Sequence, residues 1–373
     1  MDDRPDDEYG VGKIPRSVAI AAPGLDYRPR DPRRYCPAIG VIGCGGISTY
    51  HLAAYQRAGY RVVALCDRTE AKARARQATY YPEASVYTDY RDLLRRDDIE
   101  VVDVLTHPAE RAPILEAALL ARKHTLSQKP FVPDLDLGER LADLAERQGI
   151  ALAVNQNGRW APHFSYLRRA VEAGLLGDLT NAVLTVHWDH SWVVGTPFDA
   201  VHDLILYDFA IHWFDIVTCF FGEQPARRVT ASTARAVHQR ARPPLLAHAA
   251  IEYEAAQVTL AFDATVVYGQ EDRAYLAGSR GSALSVGTGY ADAHTVTIYT
   301  AQGHGSPTLE GSWFQDGFHG AMAELLCAIE EGRAPLHNAR DNLRGLALAF
   351  AAIVSAHEGT PRVPGSVRRL PAS

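Results

Sequence analysis

Three groups of residues in this sequence carry side chains suited to moving a proton beside a reacting alcohol. Ser127-Gln128-Lys129-Pro130 closes a short apolar run. A lysine before proline is held in extended backbone, and at the carboxyl edge of a parallel sheet it points into the crevice where ligands bind. The other reading of Lys129 is a solvated lysine at a strand end. Asp208, His212 and Asp215 lie in the strongly apolar stretch LILYDFAIHWFDIVTCFFG. Asp208 and His212, four apart, share a face of the expected helix, and Asp215 is one turn from His212. Oxidation of an alcohol needs a base for the hydroxyl proton, and a carboxylate-oriented histidine suits that role. A hydrogen-bonded structural histidine is the alternative, because polar groups inside so apolar a helix need partners or a cavity. The third group is Asn155, Asn157, Arg159 and Trp160, then His187, Trp188, Asp189, His190 and Trp192. Amides, charges and flat indoles suit a hydroxyl-rich ligand, although Trp160 and Trp192 equally fit a core. Strand alternation puts His187 and Asp189 on one face and His190 on the other, with no E-x-x-H partner following, so no metal is expected.

A glycine-rich turn supplies a second kind of chemistry. Gly43-Cys44-Gly45-Gly46-Ile47-Ser48 follows an apolar strand and opens a helix. It approximates G-x-G-x-x-G/A, with Ser48 in place of the third small residue. Gly43 serves a tight turn, Gly45 lets the backbone approach a pyrophosphate, and the helix N-terminus offers free N–H groups and a positive dipole. Alone the pattern also fits an ordinary strand-to-helix turn. Its context is more specific, because Asp67 ends the second strand where a ribose-binding carboxylate belongs. A strand-end turn or helix cap is the other reading of Asp67. A carboxylate there repels a 2′-phosphate, so NAD is expected over NADP, a preference that the adjacent Arg68 would soften. Gly46, Ile47, Thr106, His107, Gln128 and Lys129 complete the expected cofactor-binding set.

These residues need a scaffold, and the hydrophobic periodicity describes one. Residues 1–37 are rich in Asp, Arg and Pro without periodicity, and read as an arm that is either disordered or laid against the body. From Ala38, short apolar runs alternate with helical patterns through about residue 160, which predicts a doubly wound parallel sheet of Rossmann type. The runs are AIGVIG, RVVALCD, a short strand near Ser85, EVVDVLT, HTLSQ and ALAVNQN. Over 161–360 the texture changes to alternating strands interrupted by one helix from about His202 to Phe221 and closed by two more. That predicts an α+β domain with an open, mostly antiparallel sheet. Residues 361–373 read as a C-terminal arm. The fold class is therefore α/β.

Composition narrows the partners. The chain has 373 residues, 47% hydrophobic and 22% charged, with a formal net charge of −6. Those values suit a globular protein and give no basic footprint for nucleic acid or an acidic membrane surface. The acidic start MDDRPDDEYG lacks the features of a signal peptide, and no apolar run approaches the ~18 residues of a membrane span. The cysteines at 36, 44, 66, 219 and 327 show no C-x-x-C spacing. A reduced, cytoplasmic setting is expected.

Taken in order, Gly43 to Ser48, Asp67, Gln128-Lys129-Pro130, Asp208…His212…Asp215 and Trp313-Phe314-Gln315-Asp316-Gly317-Phe318 resemble the Gfo/Idh/MocA family over about residues 38–365. The resemblance implies NAD(P) use, a sugar or cyclitol substrate, and pairing of the exposed sheet into homodimers or homotetramers. By it, Lys129 matches the lysine of the family's Glu-Lys-Pro motif, His212 the catalytic base, and Asp208 a group that holds substrate or orients His212. Asn157, Arg159, Trp160 and His187 join Lys129, Asp208 and His212 as expected substrate contacts. Gln128 departs from the family's Glu and removes a charge that would tune Lys129. The implied activity is oxidation of a secondary alcohol, with hydride passing to nicotinamide C4. The same residues would also serve an NAD-retaining lyase or glycosidase; a non-catalytic dinucleotide sensor would have no need of the proton relay.

Overall fold

The computed structural model describes residues 17–288 and 294–370. Among these, the first sheet is built from the nearly uninterrupted apolar runs β1 (Ala38–Ile42), β2 (Arg61–Cys66), β3 (Ser85–Tyr87), β4 (Ile99–Val104), β5 (His124–Ser127) and β6 (Leu152–Val154). All its pairings are parallel, in the order β3-β2-β1-β4-β5-β6. Every residue of β1 is buried, as a strand covered on both faces by crossover helices must be. The coverings are α1 (Ser48–Ala58), α2 (Glu70–Tyr80), α3 (Tyr90–Leu94), α4 (Pro108–Leu120) and α5 (Leu135–Gln148). The order reverses between β1 and β4, which opens a crevice at their carboxyl ends. The α/β reading of the sequence holds.

The second sheet contains β7 (Leu179–His187), β8 (Arg228–Ala234), β9 (Leu246–Glu252), β10 (Gln257–Asp263), β11 (Glu271–Gly278), β12 (Gly281–Gly287), β13 (Thr295–Thr300) and β14 (Gly303–Gly305). Their order is β14-β13-β12-β11-β7-β10-β9-β8, antiparallel except for β7 with β10. Along β7 the buried residues Ala182, Leu184 and Val186 alternate with half-exposed ones, so one face packs and the other stays open. The packed face carries α7 (Ile211–Phe221) and α9 (Ala339–Glu358), while α6 (Pro162–Glu172) and α8 (Trp313–Glu331) join the two sheets. Phe318 of α8 reaches back onto His51 of α1, with ring centroids 4.5 Å apart.

Two elements differ from the expectation. The strand expected through Asn157 ends at Val154. The Gln156 N–H then bonds the Val154 carbonyl at 2.7 Å, and the chain enters a tight helical turn at Asn157–Trp160. The helix expected over residues 202–221 is broken into a wide π turn, Ile205–Phe209, followed by α7. The extra residue in that turn re-aims Asp208 relative to His212, so simple four-residue spacing does not describe the pair.

Both ends of the described chain are tied down. The N–H groups of Arg33, Arg34 and Tyr35 converge on the Glu330 carboxylate of α8, and the Ile20 N–H bonds the His304 carbonyl. Residues 1–16 of the expected arm lie outside the described residues. At the other end Arg362 exchanges two backbone bonds with Val229, and Arg369 pairs with Asp134, the cap of α5. The cysteines are free thiols, with Cys44, Cys66 and Cys327 buried. No helix among the described residues is long and apolar enough to cross a membrane.

Candidate active site

The glycine turn lies between β1 and α1. Gly43 has φ +103°, and a Cβ there would stand 2.9 Å from the Leu105 backbone, so both conformation and space demand glycine. At Gly45 and Gly46 a Cβ would meet nothing within 4 Å. The protein itself does not require glycine at those two positions; an incoming group that must approach the backbone does. The Asp67 carboxylate reaches in from β2 and accepts from the Cys44 N–H at 2.9 Å and the Thr69 N–H at 2.8 Å. Arg76 of α2 braces the turn from below through Ser48 Oγ and the Gly45 carbonyl. Arg68 is committed to Glu110 at 2.8 Å. His107 caps α4, and Thr106 Oγ1 is buried without a partner. An open backbone cradle, a helix N-terminus and a carboxylate at the neighbouring strand end fit a dinucleotide.

Lys129 leaves β5 at the same carboxyl edge. Its Nζ donates to the Asp208 carbonyl at 2.8 Å and lies 3.1 Å from Asp208 Oδ2. The backbone beneath it is clamped by Arg111 of α4, a fully buried guanidinium that donates to the carbonyls of Thr106, Gln128 and Pro130. Burial pushes Arg111 down to about 10, still fully charged at neutral pH. His212 stands next to this pair. Burial, with the Lys129 ammonium beside it, holds the imidazole well below its usual range, and its Nδ1 is buried without a partner. A neutral imidazole, an ammonium and a carboxylate thus meet where the two domains face each other, a grouping able to accept, donate and orient a proton.

Profile matches cover most of this scaffold. Residues 38–156 match an oxidoreductase family with an NAD-binding Rossmann fold, and residues 164–284 match the GFO/IDH/MocA C-terminal domain. The chain belongs to the GFO/IDH/MocA family. It is accordingly an NAD-dependent oxidoreductase. Similar relatives include a D-apiose dehydrogenase from Paraburkholderia graminis, 27% identical over 86% of this chain and 87% of that one. An inositol 2-dehydrogenase from Rhizobium meliloti is 26% identical over 86% of this chain and 96% of its own. Scyllo-inositol dehydrogenase from Lactobacillus casei, solved with NAD(H) and scyllo-inositol, superposes with a TM-score of 0.74 at 18% identity. That superposition covers 88% of this chain and 99% of that one, and shares the fold.

Within this GFO/IDH/MocA site, several residues singled out by type lie elsewhere. The Arg159 guanidinium forms a buried two-point pair with Asp215, both contacts 2.7 Å, and also reaches Asp341 and the Leu336 carbonyl. These contacts take four of its five donors and make Arg159 a brace between α7 and α9, with Asp215 as its counter-ion. Trp160 is packed likewise: it lies edge-on against His337, and a Cβ at Gly320 would lie 2.2 Å from its ring. His187 lies on the open face of the second sheet beside Asp263 and His248, because alternation along β7 turns it away from the helices. Asn157 approaches the site only through Trp313, whose Nε1 donates to its Oδ1 at 3.2 Å while the indole packs 5.6 Å from His212.

One group at the site, Arg111, carried no signal in the spacing. His190, which alternation does place toward the helices, is buried against Phe209; burial pushes its imidazole down to about 4, and Nδ1 lacks a partner. Away from the site, His163, Asp272 and His294 come together in the core. The two imidazoles lie face to face, 3.6 Å apart and 5° from parallel, so their in-plane lone pairs run side by side and do not converge on one point. Burial pushes the Asp272 carboxyl up to about 8, and its Oδ2 has no partner.

Proposed function

We propose that this oxidoreductase acts on a secondary alcohol of a sugar, a cyclitol or a glycoside. The observation that carries the reading is the half-buried His212, held neutral beside the Lys129–Asp208 pair. A base must be unprotonated when its substrate arrives, and burial next to an ammonium keeps this imidazole so. The hydroxyl proton passes to His212 as the C–H bond breaks. Lys129 donates a hydrogen bond to the reacting oxygen, and Asp208 holds both the lysine and a neighbouring hydroxyl. Gly45, Gly46 and the start of α1 would hold the pyrophosphate of NAD, with Asp67 on its ribose; when bound, NAD supplies the hydride acceptor. The relatives named for apiose and inositol support a polyhydroxylated substrate. The open face of the second sheet, centred on Val183, Thr185 and Tyr275, pairs with a second copy of the chain.

The test is an absorbance screen for NADH with inositols, aldoses and glycosides, repeated with His212→Ala. The expected outcome is NADH formation that falls by about 10²–10⁴-fold in the variant while NAD binding persists. Substrate consumption without net NADH in the parent enzyme would replace this reading with retained-cofactor chemistry, and loss of NAD binding to the parent would remove its basis.

A further inference from the structure

Behind Lys129 lies a polar chain that the reaction itself does not touch. His51 of α1 is fully buried, as are Asp103 of β4 and Tyr55. His51 Nδ1 lies 2.8 Å from Asp103 Oδ2, and the Tyr55 hydroxyl donates to the same oxygen at 2.6 Å. On the other edge of the ring, Nε2 lies 3.1 Å from Gln128 Nε2 and 3.2 Å from Asn155 Nδ2. Gln128 Oε1 accepts from the Lys129 backbone N–H at 2.7 Å, and Asn155 Nδ2 is 3.4 Å from that oxygen.

These contacts admit one consistent assignment of hydrogens. The Lys129 N–H can only donate, which fixes Oε1 of Gln128 toward the lysine and its NH₂ toward His51. An ionised Asp103 only accepts, so His51 donates from Nδ1 and is left with a lone pair on Nε2. That lone pair faces two amide NH₂ groups. The ring is thus a neutral Nδ1–H tautomer with every neighbour of complementary sign. A glutamate at 128 would keep one oxygen on the Lys129 N–H and turn the other toward the Nε2 lone pair. Acceptor would then face acceptor, unless Nε2 took a proton and the imidazolium sat between two carboxylates. The titratable groups facing His51 among the described residues are Asp103 from β4 and Tyr55 from α1; α8 presents only Phe318, and β5 and β6 end in amides.

We propose that His51 is a positioning residue for this enzyme, paired with an amide at 128, and that together they fix the Lys129 main chain so that its ammonium meets Asp208. The proposal deepens the reading of Lys129 and His212 given above and rests on it for its kinetic part. It also gives a physical reason for glutamine where the family resemblance leads one to expect glutamate: the proton that a buried glutamate would require on His51 is unnecessary here.

The test has a part that needs no turnover. Long-range proton–nitrogen NMR of the ¹⁵N-histidine-labelled, NAD-bound enzyme, assigned by a His51→Gln spectrum, should show one protonated and one unprotonated nitrogen for His51 across neutral pH. Gln128→Glu should convert the signal to a doubly protonated ring. In kinetics, Gln128→Glu should add an alkaline limb to the pH profile of kcat, with activity dropping about tenfold or more per pH unit or two above it and KM for NAD held within about twofold. Gln128→Met, which keeps shape but offers no hydrogen bond, should lower kcat without adding that limb, and it serves if the glutamate variant does not fold. A doubly protonated His51 in the parent, or a Gln128→Glu enzyme with unchanged ring signal and pH profile, would overturn the proposal. If the parent enzyme oxidises none of the polyols but the NMR result holds, the substrate reading has failed and the His51 pairing has not.

Discussion

At the residue scale, the consequences of burial separate His212 from Asp272. Both are held in neutral form, one as a base and one as an acid, but only His212 stands beside charged groups that a substrate can join. Asp272 has a cost that depends on pH. Its carboxyl is raised to about 8 when folded, from an ordinary value near 3.8. A raised acid binds its proton more tightly in the folded state, so the stability it contributes is complete below about pH 4 and is lost as the pH climbs through about 8. The slope in that window is on the order of 1.4 kcal/mol per pH unit. Asp272→Asn keeps the shape and removes the ionisation, so urea denaturation should find the variant less sensitive than the parent between pH 5 and pH 8, with its largest advantage at pH 8. Equal pH dependence in the two proteins would mean that the carboxyl is solvated or paired.

At the element scale, the seam between α7 and α9 depends on Arg159. Removing a buried charge's partner leaves the other charge stranded, which typically costs about 3–5 kcal/mol. Arg159→Ala should therefore lower the denaturation midpoint strongly while leaving KM for substrate nearly unchanged; a KM effect without a stability loss would restore Arg159 as a ligand contact. The same element explains what the sequence could and could not convey. The glycine turn and the lysine before proline are local patterns, and secondary structure brings each to the carboxyl edge of one sheet. Arg159 with Asp215, and His51 with Asp103, are 56 and 52 residues apart. No periodicity links such pairs, so a buried arginine read from its type alone looks like a ligand donor. The π turn at Ile205–Phe209 is hidden for another reason: one extra residue in a helical turn leaves no mark in composition, yet it re-aims Asp208. Strand boundaries suffered similarly at Val154, where the amides that end β6 resemble strand residues until their backbone bonds are known.

At the scale of the whole molecule, the second sheet has one packed face and one open face, and the open one holds Tyr275 beside Val183. If that face joins two copies, Tyr275→Arg places like charges against each other across the pairing axis. Light scattering should then show a shift toward monomer, whereas an unchanged mass would put the contact elsewhere. The connections between the sheets have a different reach. Lys129 meets Asp208 across the gap, Trp160 is wedged against α8, the Val154 N–H bonds the His337 carbonyl, and the Leu135 N–H bonds the Arg368 carbonyl near the chain's end. Every one of these ties joins residues from both halves of the chain. A gene fusion that grafts the first 160 codons onto a relative's remainder would inherit half of each lock without its key. The cofactor half and the substrate half of this enzyme are therefore poor currency for recombination, and new specificities in this lineage are expected to arise by substitutions inside an intact seam, not by the exchange of whole modules.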